Sequence, residues 1–305
     1  MSKALTGTAG PLLALLARLA LPDVSPAEGG SHNLSGSVPT CVTDQALVAE
    51  HRFRDYRVRI SENTGRDDDL YGGCVEIWKG GTRVYSVGDA SSIDRYRVAG
   101  WPVVGNTRGP LALGRDVTGD GAPALVLLGF RGGSCCVWIV VFEIGERFRL
   151  LGGLDLGRAD RSYFADLNGD GQPEFLTWDG TFTCWRACCA CSAAPQVVLQ
   201  FQEGGLRLAI DLMRKAAPSR ADLEARSRQI ARAPRDGDFG VPVALWREML
   251  ELIYAGNAPA AWEIFQLAWP PDLQGRDRFL LEFRAQVRKS PFWKDLVAVN
   301  GGRVW

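Results

Sequence analysis

The chain has 305 residues, 46% hydrophobic and 23% charged, with 35 basic and 35 acidic side chains that cancel. That length and balance suit a folded core, divided into two domains of ordinary size, and exclude a disordered chain. The zero net charge lacks the basic excess that nucleic acid or an anionic membrane surface requires, so neither is expected as a partner.

The first 27 residues combine Lys3, an apolar run from Pro11 to Leu21 and a Ser25-Pro26-Ala27 site of the small-x-small kind. This resembles a secretory signal peptide, although Arg18 inside the run suits an amphipathic leader. Residues 28–52 read as a linker. No other run approaches the ~18 apolar residues of a membrane helix, so no transmembrane span is expected. With a cleaved leader the protein is secreted or periplasmic, and without one it is cytoplasmic.

From 53 to 212 the pattern is that of strands. Tyr56–Ser61, Cys74–Trp78, Thr82–Val87, Ala124–Leu128, Val137–Ile144 and Val197–Phe201 are rich in β-branched and aromatic residues and bounded by glycines. From 213 to 305 the pattern becomes helical. Ser219 and Asp222 form a capping box that opens a helix closed by Pro234. Leu245, Trp246, Met249, Leu250 and Ile253 then recur at helical spacing, and Gly256 ends that segment. Further helices are expected from Asn257 to Ala268, around Phe279 to Val287, and after Ser290-Pro291. The expected fold is mainly β, with propeller-like repeat units that are partial or open, followed by a small all-α domain.

The β region repeats. Asp116-Val-Thr-Gly-Asp-Gly-Ala-Pro-Ala124 returns fifty residues on as Asp166-Leu-Asn-Gly-Asp-Gly-Gln-Pro-Glu174, each copy followed by an apolar strand, a cysteine (Cys135 or Cys184) and a hairpin. The earlier hairpin Val75–Tyr85 matches the end of that unit without its loop. Three related units are therefore expected, fewer than the ~4 blades of a closed propeller.

Such loops suit calcium, which takes six to eight hard oxygens that a tight turn can present from alternate positions. In the second loop these are Asp166, Asn168, Asp170, the Gln172 carbonyl and Glu174. In the first they are Asp116, Thr118, Asp120 and the Ala122 carbonyl, with Ala124 where a carboxylate is needed, so weaker binding is expected there. An EF-hand is excluded, because the twelfth position holds Leu127 or Thr177 rather than a bidentate Glu. The competing reading is two plain turns, since Asn, Asp and Gly are also turn residues.

At these residues the chain resembles bacterial proteins of the FG-GAP / VCBS repeat class, whose units carry a D-x-[ND]-G-D-G-x-P-[DE] loop ahead of a strand. It is similar in particular to exported members with a Gly-Gly-x-Cys-Cys segment, here Gly132–Cys136. The likeness spans Tyr56 to Leu212 and departs from the pattern at Ala124 and at the cysteines beyond Cys184. It implies an extracytoplasmic, propeller-like module with structural calcium, used for adhesion or ligand display toward a protein or glycan partner. It carries no catalytic residue.

Eight cysteines make redox state a question of its own. Disulfides are the favoured reading for an exported chain, with Cys184 paired to Cys135 or Cys136 because the repeat makes them equivalent; buried thiols and a thiolate metal site are the others. Only His32 and His51 are available for histidine chemistry, and no G-x-S-x-G elbow is present, which disfavours a hydrolase triad. The expected function is non-enzymatic binding or scaffolding. The alternative is a secreted hydrolase acting on glycans or another polymer through two carboxylates.

Overall fold

The computed structural model describes residues 45–63, 73–88, 94–105, 109–131, 137–157, 162–202 and 205–305. The signal-like segment 1–27, the linker as far as Asp44 and the Gly132–Cys136 segment lie outside them. The described chain is mainly β, with three antiparallel sheets followed by a helical region. Each sheet is open, and the described strands close no barrel or propeller.

The first sheet is a meander of β1 (Gln45–Phe53), β2 (Tyr56–Asn63), β3 (Gly73–Lys79) and β4 (Thr82–Val87). Its β3–β4 turn is Gly80-Gly81, with φ of 52° and 87°. A two-residue hairpin needs positive φ at both central positions, which explains the glycine pair. Strand β1 corrects the linker reading of 28–52 over its described part, residues 45–52. A register shift between Leu47 and Ala49 breaks its alternation, and with it the period-2 signal.

In the second sheet β5 (Asp94–Val98) and β6 (Leu113–Arg115) share one partner, β7 (Ala124–Arg131), which continues into β8 (Val137–Ile144) and β9 (Phe148–Gly157). The third is a meander of β10 (Tyr163–Ala165), β11 (Glu174–Trp178), β12 (Gln196–Gln202) and β13 (Gly205–Leu208). The excursion between β5 and β6 reaches across to the third sheet. Phe164 donates its amide to the Pro102 carbonyl (2.9 Å), Val104 donates to Ser162 (2.8 Å), and Trp101 stacks on Phe164 at 5.3 Å.

The second sheet is buried on both faces. Ala124, Val126, Leu128, Ile139 and Val141 belong to a core shared with the third sheet and the helices. Their alternates Leu125, Leu127, Val140, Phe142 and Ile144 belong to a core shared with the first sheet. This is why β7 and β8 read as unbroken apolar runs rather than alternating ones.

The helical region comprises α1 (Ile210–Met213), α2 (Arg220–Ala231), α3 (Val243–Tyr254), α4 (Ala258–Ala268), α5 (Arg276–Val287) and α6 (Trp293–Val299). The capping box forms as expected: Ser219 Oγ accepts from Asp222 N and Asp222 reaches back to Ser219 N. The described residues lie in one compact unit, and a single hydrophobic core runs from β7 through the third sheet to α6. No described helix is long and apolar enough to cross a membrane.

Polar contacts fix the helices on the third sheet. Asp179, directly after β11, is buried and accepts at Oδ2 from Tyr254 Oη and Ser290 Oγ, each at 2.5 Å. Its Oδ1 accepts from Thr181 N and Thr181 Oγ1 at 2.8 and 2.5 Å. A second clamp joins Arg207 of β13 to Asp295 of α6, where Nε lies 3.0 Å from each carboxylate oxygen. Charge-assisted bonds of this kind are worth about 1.5–3 kcal/mol each.

Burial, with Asp179 alongside, holds the Tyr254 phenol well above its usual range. An unfolded tyrosine ionises near pH 10, so above that pH the unfolded state holds fewer protons than the folded one, and stability falls as pH rises. Alkaline denaturation followed by tyrosinate absorbance checks this: Tyr254 should ionise only with unfolding. Tyr254→Phe should cost about 1.5–3 kcal/mol at neutral pH and flatten the alkaline slope.

Candidate functional site

The two Asp-rich loops occupy equivalent places. Residues 116–123 join β6 to β7 and residues 166–173 join β10 to β11; the flanking strands close on Arg115 with Ala124 and on Ala165 with Glu174, equivalent pairs one repeat length apart, beyond which β6 carries a register shift that β10 lacks.

Their internal bonding also matches. Asp116 Oδ1 accepts from Gly119 N (2.7 Å) and its Oδ2 from Gly121 N (2.8 Å). Asp166 Oδ1 accepts from Gly169 N (2.7 Å) and its Oδ2 from Gly171 N (3.0 Å). The fifth residue repeats the device, with Ala122 N donating to Asp120 (2.9 Å) and Gln172 N to Asp170 (2.8 Å). All four glycines have φ between 78° and 88°. Only glycine adopts that region without penalty, so the Gly-x-Gly spacing is a backbone requirement.

The third position differs. Thr118 Oγ1 donates to Asp120 Oδ1 (2.7 Å), and that bond, with the Ala122 amide, lowers the Asp120 pKa. Asn168 Nδ2 donates to Asp170 Oδ2 (2.9 Å), while its Oδ1 accepts from Asp170 N (2.9 Å). Glu174 is buried, 2% exposed, and its Oε2 accepts from Leu167 N at 2.7 Å. At the equivalent position Ala124 packs into the core with no oxygen to offer.

The donors of both loops are therefore oxygens, the chemistry of a hard cation such as calcium. Among the described residues no three His, Cys, Asp or Glu side chains converge as a ready metal group. The carboxylates are instead turned onto the amides of their own loops. The loops also touch each other. A Cβ added at Gly119 would lie 2.3 Å from Gln172 Cγ, so the Gln172 side chain crosses the first loop at its tightest point.

The cysteines depart from expectation. Cys184 is bonded to Cys189, and Cys188 to Cys191. The pairing of Cys184 with Cys135 or Cys136 is thus corrected: the segment folds back on itself, bringing the Cα atoms of Cys184 and Cys189 to 4.1 Å. Cys135 and Cys136 lie outside the described residues. Cys74, fully buried in β3, is also disulfide-bonded. His51 is half-buried on β1, and desolvation lowers its pKa.

One arrangement escapes sequence reading altogether. A cleft of about 280 Å³ is lined by Lys215, Arg226, Glu248 and Glu251, among others. Glu248 pairs with Arg226 at 2.5 Å, whereas desolvation raises the Glu251 pKa. The two carboxylates stand one helical turn apart on α3, and the ion pair between Glu248 and Arg226 of α2 distinguishes their environments.

Gly119→Ala and Gly169→Ala should differ. Each forces a left-handed alanine costing about 1–2 kcal/mol, but only Gly119→Ala also drives a methyl into Gln172, since nothing lies within 4 Å of a Cβ at Gly169. Urea denaturation should find Gly119→Ala the less stable, and Gln172→Ala should remove most of the difference. No family model, curated protein or solved structure matches this chain.

Proposed function

We propose that the chain is an exported binding or scaffolding module built from calcium-stabilised β-repeat units of the FG-GAP / VCBS kind, with propeller-like meanders and a protein or glycan partner. The observation that carries the reading is that the two Asp-rich loops close on equivalent strand pairs and share the bonding of their first and fifth residues. A turn needs its glycines and one Asx residue; it does not need carboxylates at the first and fifth positions of both copies. Asp166, Asn168, Asp170, Glu174 and the Gln172 carbonyl would hold the ion in the second loop, and Asp116, Thr118, Asp120 and the Ala122 carbonyl would hold it more weakly in the first. A bound cation would neutralise carboxylates that otherwise repel one another and, through Glu174, tie the second loop to the strand that follows it.

Calcium at a hundredfold excess over its Kd should add about 2.7 kcal/mol to stability, a rise of several degrees in Tm. Differential scanning calorimetry with calcium or chelator checks this. Asp170→Ala should abolish most of the rise, and an unchanged Tm in the parent protein would count against the calcium reading.

A second reading, a carboxylate-dependent polymer hydrolase, is favoured by the Glu248/Glu251 cleft. Glu251 is solvent-exposed, with a pKa raised by partial desolvation beside the ion-paired Glu248, and such a contrast can divide acid from base. Under that reading polysaccharide hydrolysis is detectable, and Glu251→Gln lowers it at least a hundredfold. Absence of hydrolysis across a polysaccharide panel leaves the binding module.

A further inference from the structure

The segment between β11 and β12 has features that neither reading uses. Four cysteines form two disulfides within eight residues, and the second, Cys188–Cys191, closes a C-x-x-C sequence. Cys184, Cys188, Cys189 and Ala190 are exposed, and Cys191 is half-buried. The backbone is also strained: Cys184 and Arg186 have φ of 59° and 52°, two of the three positive-φ non-glycine residues among those described. Such conformations cost about 1–2 kcal/mol each and persist only where the surroundings impose them.

Here the surroundings are explicit. Trp185, between the two strained residues, lies 5.0 Å from Phe182, 5.6 Å from Trp246 and 5.7 Å from Phe279, ring centre to ring centre. Arg186 pairs with Glu282, and its carbonyl accepts from Asp238 N at 2.7 Å. The Cys184–Cys189 bridge therefore spans a stretch seated in the helical core. The Cys188–Cys191 bridge spans only Cys189 and Ala190, on the surface. Cys188 Sγ also accepts the Cys191 amide at 3.1 Å, an interaction that stabilises a thiolate at that sulfur.

We propose that Cys188–Cys191 is a thiol–disulfide exchange centre whose co-substrate is a low-molecular-weight monothiol, with Cys184–Cys189 as its fixed base. A thiolate attacks Cys191 Sγ, forming a mixed disulfide and expelling Cys188 as a thiolate held by the Cys191 amide. A second thiolate attacks the small-molecule sulfur of the mixed disulfide, releasing the Cys191 thiolate and a small disulfide. The protein gains two electrons and, on protonation of both thiolates, two protons; two thiols become one disulfide. The reverse sequence returns the bridge. Both bridges reach solvent, and Cys188–Cys191 is the one whose loop is not seated through Trp185 in the helical core, so it can open without disturbing the fold.

The test equilibrates the full oxidised chain with reduced and oxidised glutathione under native conditions, traps free thiols with iodoacetamide, and maps them by mass spectrometry. Cys188 and Cys191 should become labelled together, with Cys184 and Cys189 protected and the Tm nearly unchanged. A Cys188→Ala/Cys191→Ala double variant should keep the Cys184–Cys189 bridge and the parent's Tm while losing the glutathione-dependent labelling. The proposal is overturned if all four cysteines open together, if none opens before the protein unfolds, or if the double variant loses the second bridge.

Discussion

The fold turns on a buried carboxylate. Asp179 collects donors from the turn after β11, from the end of α3 and from Ser290 in the turn between α5 and α6. A carboxylate out of water is tolerated only while its lone pairs are filled, so these three places must meet in one geometry. Glu174, the last position of the second Asp-rich loop, opens the five-residue strand β11, and Asp179 follows its end. The loop and the helical anchor are the two ends of one short strand, and the strained cysteine segment follows directly. Candidate ion site, helical region and disulfides are thereby placed by the same few residues.

The middle sheet answers a different constraint. Buried on both faces, it cannot place a polar residue at alternate positions of β7 or β8 without stranding that group in one of the two cores. Its polar duties fall to the ends of its strands, where the first loop lies. Ala124 sits at the start of β7 inside this apolar environment. The missing carboxylate of the first loop is thus matched to a site that would desolvate it, whereas Glu174 is buried beside an amide that satisfies one of its oxygens.

Much of this was legible in the chain because it rests on local chemistry. The Gly-x-Gly loops, the Ser219–Asp222 box, Gly256 and the Gly80-Gly81 hairpin each follow from backbone geometry within a few residues. What escaped depends on distant partners or on broken periodicity. The bulge in β1 hides its alternation. Strands β5 and β6 are two pieces of one edge, interrupted by an excursion, so neither is long enough to register. Helix α1 is a single turn. The Cys184–Cys189 pairing is local but depends on left-handed backbone at Cys184 and Arg186 that no glycine signals, and the contrast between Glu248 and Glu251 and the partners of Asp179 are tertiary, invisible until the helices lie on the third sheet.

The excursion around Pro102 and Val104 has a bearing on solution behaviour. A sheet whose outermost strand is bare offers a template of amides and carbonyls to any other extended chain. On the third sheet that strand is β10, and the chain's own Pro102–Val104 segment already occupies the template through the bonds to Ser162 and Phe164. Proline there has no amide to offer onward. The segment that ties two neighbouring sheets together is also the one that ends strand addition, so a three-sheet array can remain open on this side without recruiting a stranger.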